Sequence, residues 1–448
     1  MAHAVPLSFL TRCRWASLYE CGNEEVKLDM VGLAQTKLSC GDISTDKAQT
    51  AALSVRVMLD FDIARESSRT YEEKLVESYM RVAFAVPEHR EFLRSGTPSE
   101  PLLAEAAAQL LSVNNWIQDG APDLLFNLME GGFLARGERG EMIGRLLWTI
   151  AHDNVICRLN LVDKTKLQFH RPILLLDWLK ELINPQWHES VLSSKPIADP
   201  HGLSLEEAFK DAYLNFSHFA RAEDDSVLSP DMLYLCLVRH MAYQCADNQR
   251  STDIVAAVHH EGLEAPIGPE NTSPLYGQMK DRAKFSEVLL NPHIGGTPRN
   301  GRPILSLVHD LGIGIAKVYP HRSAPAKELR LLLDDRTENI HLQHYQIHIE
   351  GCTHETYGIV PAHKNHVYTS ILEATKVIDD FPRNDIPEHR HAMLRLKPSF
   401  KDKFSFGWVH GSSPPLSSAS ASVATKDVKR KGGDQGGRAK KLKCANTR

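Results

Sequence analysis

The residues in this sequence that could do chemistry together are an aspartate and, further along the chain, an amide and an amine separated by one residue. Asp253 begins a short apolar segment, and Gln278 and Lys280 stand in a second segment. Side chains alternate across a strand, so Gln278 and Lys280 would lie on the same face. An aspartate and an oxygen acceptor can hold a hard divalent cation, and a lysine can help position water and phosphate. This pattern indicates a metal-dependent nuclease site.

The same spacing has a structural explanation as well. Asp253 would then lie in a turn, and Gln278 and Lys280 would be polar residues on an exposed strand face. Because such spacing occurs by chance in many chains of this size, the pattern alone leaves both interpretations open.

The segments that carry these residues are predicted strands. Residues 251–258 follow a turn-like Asp-Asn-Gln-Arg run and are short and rich in Val, Ile and Ala. This composition favours a buried strand over a helix. Residues 274–280 are predicted as the second strand, and residues 303–308 and 339–351 as further strands.

Helices are predicted before and between these strands. The start signals at residues 99–111 are a cap, Pro and Glu before an Ala and Leu run. A capping box at residues 204–207 predicts a helix that continues through residue 219, and Ser-Pro at residues 229–230 predicts another to residue 246. The expected fold class is therefore α/β, with a helical N-terminal region followed by a mixed β-sheet core flanked by helices.

Glu141 is the candidate carboxylate contributed by a helix. It stands with Glu138 near the start of a predicted helix over residues 136–148. Carboxylates at this end of a helix offset its dipole, which is the structural explanation. The functional hypothesis is that Glu141 completes the metal site.

Composition divides the chain into a loosely ordered segment (1–30), a helical region (31–195), an α/β domain (196–395) and a disordered Ser-rich and basic tail (396–448). The tail carries two basic clusters on a Gly-rich spacer, which resemble a bipartite nuclear import signal and could also contact phosphates. Their residues are Lys429, Arg430, Lys431, Arg438, Lys440, Lys441 and Lys443. The alternative is a solvated basic tail that neither directs nuclear import nor contacts phosphates. If the clusters are an import signal, a nuclear import receptor is an expected partner and the nucleus is the expected location. Otherwise the expected location is the cytoplasm.

Several classes of protein are disfavoured by composition and motifs. The 8 Cys include no Cys-x-x-Cys pair, which argues against a Cys-based zinc site and favours a reducing compartment. No apolar run approaches the length of a membrane span, and the N-terminus lacks the basic region of a signal peptide. His344 and His348 share a strand face, but lie too far apart to chelate a metal easily.

Five short segments occur in the order expected of one known group of proteins, between residues 31 and 370. They are residues 99–107, 136–143, 216–219, 250–255 and 278–280. As a set they resemble fungal proteins related to Crinkler-type and retrotransposon-hot-spot-type proteins. The C-terminal part of those proteins is similar to a restriction-endonuclease-like (PD-(D/E)XK) domain.

The resemblance implies hydrolysis of phosphodiester bonds in DNA or RNA with Mg²⁺ or Mn²⁺. Asp253 and Gln278 would hold the ion with support from Glu141, and Lys280 would orient the attacking water. Two features depart from the pattern. Gln278 stands where most such nucleases have Glu, which removes a negative charge and weakens ion binding. Glu141 also precedes Asp253 by more than a hundred residues.

The alternative function is a catalytically inactive nuclear module that keeps the fold and binds nucleic acid or protein. The neutral Gln278 favours that alternative. A helical scaffold without a nucleic-acid role is a third hypothesis, and the oligomeric state stays open.

Overall fold

The computed structural model describes residues between 21 and 374, with gaps. The described residues are 21–39, 42–62, 66–77, 81–85, 94–97, 99–134, 139–160, 169–222, 228–246, 252–281, 290, 301–312, 314–321 and 343–374. The described residues belong to one compact unit. Glu138 and the whole basic tail lie outside the described residues.

The first part of the chain is mostly helical, as expected. Helix α1 begins within the segment that was expected to be loosely ordered. The helices are α1 (Glu24–Ser39), α2 (Asp46–Val57), α3 (Glu66–Glu77), α4 (Pro101–Ser112), α5 (Trp116–Asp119), α6 (Ala121–Glu130), α7 (Arg139–Asn160), α8 (Leu175–Leu182), α9 (His188–Leu192), α10 (Leu205–Ala208), α11 (Pro230–Val238) and α12 (Asn365–Glu373). Helix α4 starts at the predicted place, with Pro in its first turn and the Glu100 side chain accepting from the backbone of Leu102.

A mixed sheet follows the helical region, and the fold is therefore α/β. The strands are β1 (Val82–Ala85), β2 (Arg94–Gly96), β3 (Ile173–Leu174), β4 (Tyr213–Leu214), β5 (His218–Arg221), β6 (Met241–Gln244), β7 (Ile254–His259), β8 (Thr272–Lys280), β9 (Ile304–Asp310), β10 (Lys317–Pro320) and β11 (His344–Glu350). Strands β1 and β2 form a small sheet of their own. The main sheet has the order β10-β11-β9-β8-β7-β4-β3, and β6 pairs with both β5 and β7.

Two helix predictions extend too far along the chain. The helix expected up to residue 219 ends at Ala208, and the chain then forms β4 and β5. The helix expected up to residue 246 ends at Val238 and is followed by β6. Strands β5 and β6 pair in parallel, and β6 also pairs with β7. Pairing between distant segments outweighs local helix propensity here, because propensity is only a weak preference.

Apolar residues pack on both faces of the main sheet. The larger cluster joins α2, α4 and α7 to one face and includes Trp148 and Ile254. The smaller cluster places α11 against the opposite face and includes Leu233 and Tyr276. Residues from both sides of the expected boundary at 195 share the larger cluster, so that boundary does not separate two cores.

Two glycines allow α7 to pack closely against β8. A Cβ at Gly277 would lie 2.6 Å from the ring of Trp148, and one at Gly144 would overlap the side chain of Met279. Glycine within a strand often marks such a close approach. The first turn of α7 thereby reaches the end of β8, where Arg139 Nε donates to Asp281 Oδ2 at 2.8 Å.

Replacing Gly277 with Ala should lower the free energy of unfolding by about 1–3 kcal/mol, because the methyl group overpacks the core. The Trp148 ring is fully buried and packs edge-on against Trp178 with 5.1 Å between centroids, so it has little room to move. Urea denaturation measures the change. Gly314→Ala is the matched control, because no atom of the described residues lies within 4 Å of the added Cβ. Equal losses in both variants would contradict the packing argument.

Among the described helices, none combines the length and apolar character that a bilayer span requires.

Candidate functional site

The structure brings Asp253, Gln278 and Lys280 together. Asp253 directly precedes β7, and β8 ends with the other two residues. Strands β7 and β8 are antiparallel with Ile254 opposite Gly277, and the backbone N–H of Asp253 donates to the carbonyl of the same Gly277. Lys280 Nζ lies 4.0 Å from Asp253 Oδ2. An acid and an amine therefore approach each other across neighbouring strands, and the amide precedes the amine by two residues on β8.

Gln278 and Lys280 share the sheet face that points away from α7. Gly277 and Met279 on β8 face α7, so the residues that alternate with them point to the other side. Gln278 is 4% exposed, whereas the side chains of Asp253 and Lys280 are 13% and 35% exposed. The cluster is thus buried at its amide and opens to solvent at Lys280.

Asp253 also has a structural role at the end of β7. Its Oδ2 accepts a hydrogen bond from the backbone N–H of Met279 at 2.6 Å. Its own backbone N–H donates to the carbonyl of Gly277 at 2.8 Å. The side-chain carboxylate of Asp253 therefore accepts a hydrogen bond in place of a backbone carbonyl, where the regular pairing of β7 with β8 ends. This hydrogen bond uses one of the two carboxylate oxygens.

The amide of Gln278 is the polar group in the cluster that needs an explanation. Its Oε1 is buried and has no hydrogen-bond partner among the residues that the structure describes. Leaving a buried acceptor unsatisfied costs about 1–3 kcal/mol. Native proteins commonly satisfy such groups with a bound water or ion. The position of Gln278 beside Asp253 makes a cation a chemically reasonable partner.

Glu141 reaches this part of the molecule from the first turn of α7. Its Oε2 accepts a hydrogen bond from Gln244 Nε2 on β6, the strand next to β7. The other end of the Gln244 amide accepts from Arg145, whose Nε donates to the carbonyl of Val57 at 2.7 Å. A chain of hydrogen bonds therefore orients Glu141 beside β6, the strand that neighbours β7.

The charges of both carboxylates act on Cys245. Burial raises the pKa of the Cys245 thiol, and the negative charges of Asp253 and Glu141 raise it further. Both carboxylates therefore lie near this thiol. Sequence reasoning missed Gln244 and Cys245 because the segment that carries them was predicted to be helical. The signal that could have identified them is the turn-like run between Cys245 and Asp253, which suits two paired strands.

The donors at this site suit a hard cation only in part. Within the described part of the chain, no three His, Cys, Asp or Glu side chains group closely enough to hold a metal ion. Mg²⁺ needs fewer protein ligands, because it keeps several waters and is commonly bound through one or two carboxylates and the substrate phosphates. Asp253 together with the amide oxygen of Gln278 meets that smaller requirement.

The histidines of β11 contact other side chains. His344 Nε2 lies 2.9 Å from Ser306 Oγ. His348 Nε2 lies 2.9 Å from Gln346 Nε2 and 3.0 Å from His321 Nδ1. Both histidines that share a strand face thus have side-chain partners at Nε2.

The buried position of Asp253 predicts a pH-dependent effect on stability. Burial raises the pKa of Asp253 more than Lys280 and the Met279 N–H lower it. Because the folded state binds this proton more tightly than the unfolded state, the associated stability is lost as pH rises through the raised pKa. Asp253→Asn should therefore be more stable than the wild type at neutral pH.

The gain in Asp253→Asn should disappear below about pH 4, where the unfolded aspartate is protonated as well. Urea denaturation across this pH range measures it. Asp211→Asn is the control, since the Asp211 side chain is 67% exposed. An Asp253→Asn protein that is less stable at every pH would show that the bond to Met279 requires a carboxylate.

Comparison with known protein families finds one match. Residues 42–262 match the model of a family described as a domain of unknown function (DUF8736). Comparison with curated proteins and with solved structures finds no match. The matched region runs from the segment before α2 to the loop after β7. It therefore includes Glu141 and Asp253 and ends before the strand that carries Gln278 and Lys280.

Proposed function

We propose that this chain is a nuclease-like protein with a restriction-endonuclease-like domain, which hydrolyses phosphodiester bonds of nucleic acid with Mg²⁺ or Mn²⁺. The observation that carries the proposal is the approach of Lys280 Nζ to 4.0 Å from Asp253 Oδ2, beside the buried amide oxygen of Gln278. A carboxylate, a neutral oxygen donor and a cation at one opening of the sheet suit a phosphate and a hard ion together.

Each residue has a role that its surroundings support. Asp253 and Gln278 would hold the ion, and Glu141 would add negative charge from α7. The bound ion would supply Lewis acidity at the phosphate. Lys280 would orient the attacking water and offset charge that develops in the transition state. Its side chain is 35% exposed, so its ammonium group can meet a substrate.

The distribution of charge indicates where nucleic acid would bind. Residues 396–448 contain 12 Lys and Arg against 3 Asp, so the preceding 395 residues carry a formal net charge of −13 within the total of −4. An acidic body repels phosphate, and a basic segment supplies affinity that falls as salt rises. We propose that the tail provides this affinity, and that its basic clusters also direct the protein to the nucleus.

A cleavage assay with a charge-restoring variant tests the proposal. The full chain is incubated with DNA or RNA and Mg²⁺, Mn²⁺ or a chelator. Wild-type cleavage should require the metal, and Gln278→Glu should raise the rate about tenfold at limiting metal, because a second carboxylate binds the ion more tightly. Asp253→Asn is the paired loss-of-charge variant and should not cleave. Cleavage that persists in the chelator, or in Asp253→Asn, would overturn the proposal.

The neutral Gln278 favours a second candidate function, an inactive nucleic-acid-binding or protein-interaction module. The same samples distinguish it. Salt-sensitive binding without cleavage by either the wild type or Gln278→Glu would support this alternative. Absence of both binding and cleavage would favour a helical scaffold.

A further inference from the structure

We propose that His170 and His240 bind one transition-metal ion such as Zn²⁺, and that Glu105 orients His170 for this role. None of these residues takes part in the proposed hydrolysis of phosphodiester bonds, so the site is independent of that function. All three lie within the region that matches the family model.

The pair of Glu105 and His170 has the arrangement with which proteins commonly orient a metal-binding imidazole. Glu105 Oε2 lies 2.7 Å from His170 Nδ1. A carboxylate at one ring nitrogen keeps the proton on that nitrogen, so the other nitrogen, Nε2, presents its lone pair. The side chain of His170 is 22% exposed and that of Glu105 is 2% exposed. Solvent therefore reaches the ring, and the carboxylate supports it from the interior.

Hydrogen-bond donors fix the carboxylate of Glu105 in place. The backbone N–H of Phe169 donates to Oε2 at 2.8 Å, and the backbone N–H of His170 donates to the same oxygen at 3.0 Å. Gln109 Nε2 donates to Oε1 at 2.9 Å. Because all of these groups are donors, they suit an ionised carboxylate. Its negative charge next to the ring of His170 would stabilise a cation bound there.

His240 supplies the second ring of the site. The centres of the His170 and His240 rings lie 5.3 Å apart, and the ring planes form an angle of 51°. Two imidazoles that bind one Zn²⁺ ion through bonds of about 2.0–2.1 Å in tetrahedral geometry have ring centres roughly 5 Å apart. The observed separation therefore matches that of two ligands of a shared ion.

Two further features of His240 indicate a ligand. Its Nδ1 is buried and has no hydrogen-bond partner among the residues that the structure describes, and a bound ion would satisfy such a nitrogen. His240 also has a φ of 52°. This left-handed conformation is uncommon for residues other than glycine and is enriched at functional sites. The backbone N–H of Ser217 donates to the carbonyl of His240 at 2.7 Å and helps to hold the residue there.

The two histidines leave part of the coordination sphere to solvent. Within the described part of the chain, no third His, Cys, Asp or Glu completes a group of metal ligands around them. Water or an oxygen ligand would take the remaining positions, as in zinc sites that keep a position open. Because imidazole ligands suit Zn²⁺, Cu²⁺ and Ni²⁺, and Mg²⁺ prefers oxygen, this site and the one at Asp253 should select different ions.

Isothermal titration calorimetry of the full chain with Zn²⁺ tests whether the two histidines share an ion. His170→Asn and His240→Asn should each weaken binding at one site at least about tenfold. Asn keeps a donor for Glu105 at position 170 and tolerates the left-handed conformation at position 240. The double variant should lose no more binding sites than either single variant, because both changes remove the same site. His201→Asn replaces an exposed histidine and should bind Zn²⁺ as the wild type does.

Two results of the titration would overturn the inference. They are wild-type binding in either folded single variant, and loss of a second site in the double variant. Circular dichroism shows whether each variant is folded.

Diffraction at the zinc absorption edge from a wild-type crystal soaked in Zn²⁺ gives a test without any variant. An anomalous peak within about 2.2 Å of a ring nitrogen of both His170 and His240 is expected. An ordered map without a peak between the two rings would contradict the shared ion. Neither experiment measures cleavage, so failure of this inference can be told apart from failure of the proposed function.

Discussion

Lys280→Ala is expected to reduce metal-dependent cleavage by about 10²- to 10³-fold, the usual loss when one preorganised donor to a transition state is removed. The ammonium of Lys280 lies 4.0 Å from the carboxylate of Asp253 and is the most exposed of the three groups at the site. It would be the group nearest to an entering phosphate. The cleavage rate is measured at saturating metal and substrate. Weaker binding of the metal or the substrate by the variant then does not contribute to the difference in rate.

The control for Lys280→Ala is Lys210→Ala. The Lys210 side chain is 73% exposed, and its ion pair with Asp211 spans 3.9 Å. That variant loses the same formal charge from the surface and should cleave at the wild-type rate. Equal losses in the two variants would show that Lys280 acts through the overall charge. Full activity in Lys280→Ala would contradict a role in the chemical step.

Asp153→Ala should destabilise the protein by about 3–5 kcal/mol, because it leaves a buried charge unpaired. Arg56 and Asp153 are 0% and 2% exposed, and Arg56 Nη2 lies 2.6 Å from Asp153 Oδ1. A second bond joins Arg56 Nη1 and Asp153 Oδ2 at 3.0 Å, and Arg56 Nε donates to the carbonyl of Ser217. Burial would raise the pKa of Asp153, but the charge of Arg56 and the hydrogen bonds from Arg56 and His152 hold it below its usual value.

This ion pair matters for the site because it joins α2 and α7 to the segment before β5. Helix α7 carries Glu141 in its first turn. Chemical denaturation of Asp153→Ala measures the loss. The double variant Arg56→Met/Asp153→Leu should recover most of the stability, because apolar groups of similar size often replace a buried ion pair without loss.

An exposed ion pair provides the contrast. The side chains of Arg158 and Glu181 are 54% and 22% exposed, and Glu181→Ala should cost no more than about 1 kcal/mol. If Asp153→Ala were as mild as Glu181→Ala, the buried pair would not hold α2 and α7 together.

The strands that carry the site could be predicted from local sequence. Residues 254–258 have β-branched or small side chains, and the structure has β7 over Ile254–His259. The placement of Gln278 and Lys280 on one face follows from the alternation of side chains alone. That Asp253 meets them depends on the antiparallel pairing of β7 with β8, which the sequence suggested only by the proximity of two strand segments.

The surroundings of the site depend on contacts between distant segments. Strands β4, β5 and β6 are two to four residues long, too short for a periodic signal. Their pairing partners decide their structure. Because β6 was predicted as helix, the contact between Gln244 and Glu141 could not be foreseen. That contact explains how a helix so far back in the chain reaches the neighbourhood of Asp253.

Anomalous diffraction from a crystal soaked in Mn²⁺ would test the metal site most directly. The account predicts a peak bonded to a carboxylate oxygen of Asp253 and to Gln278 Oε1, each within about 2.5 Å, and no such peak in Asp253→Asn. An ordered map without a peak between β7 and β8, with the Gln278 amide bonded instead to another protein group, would contradict it.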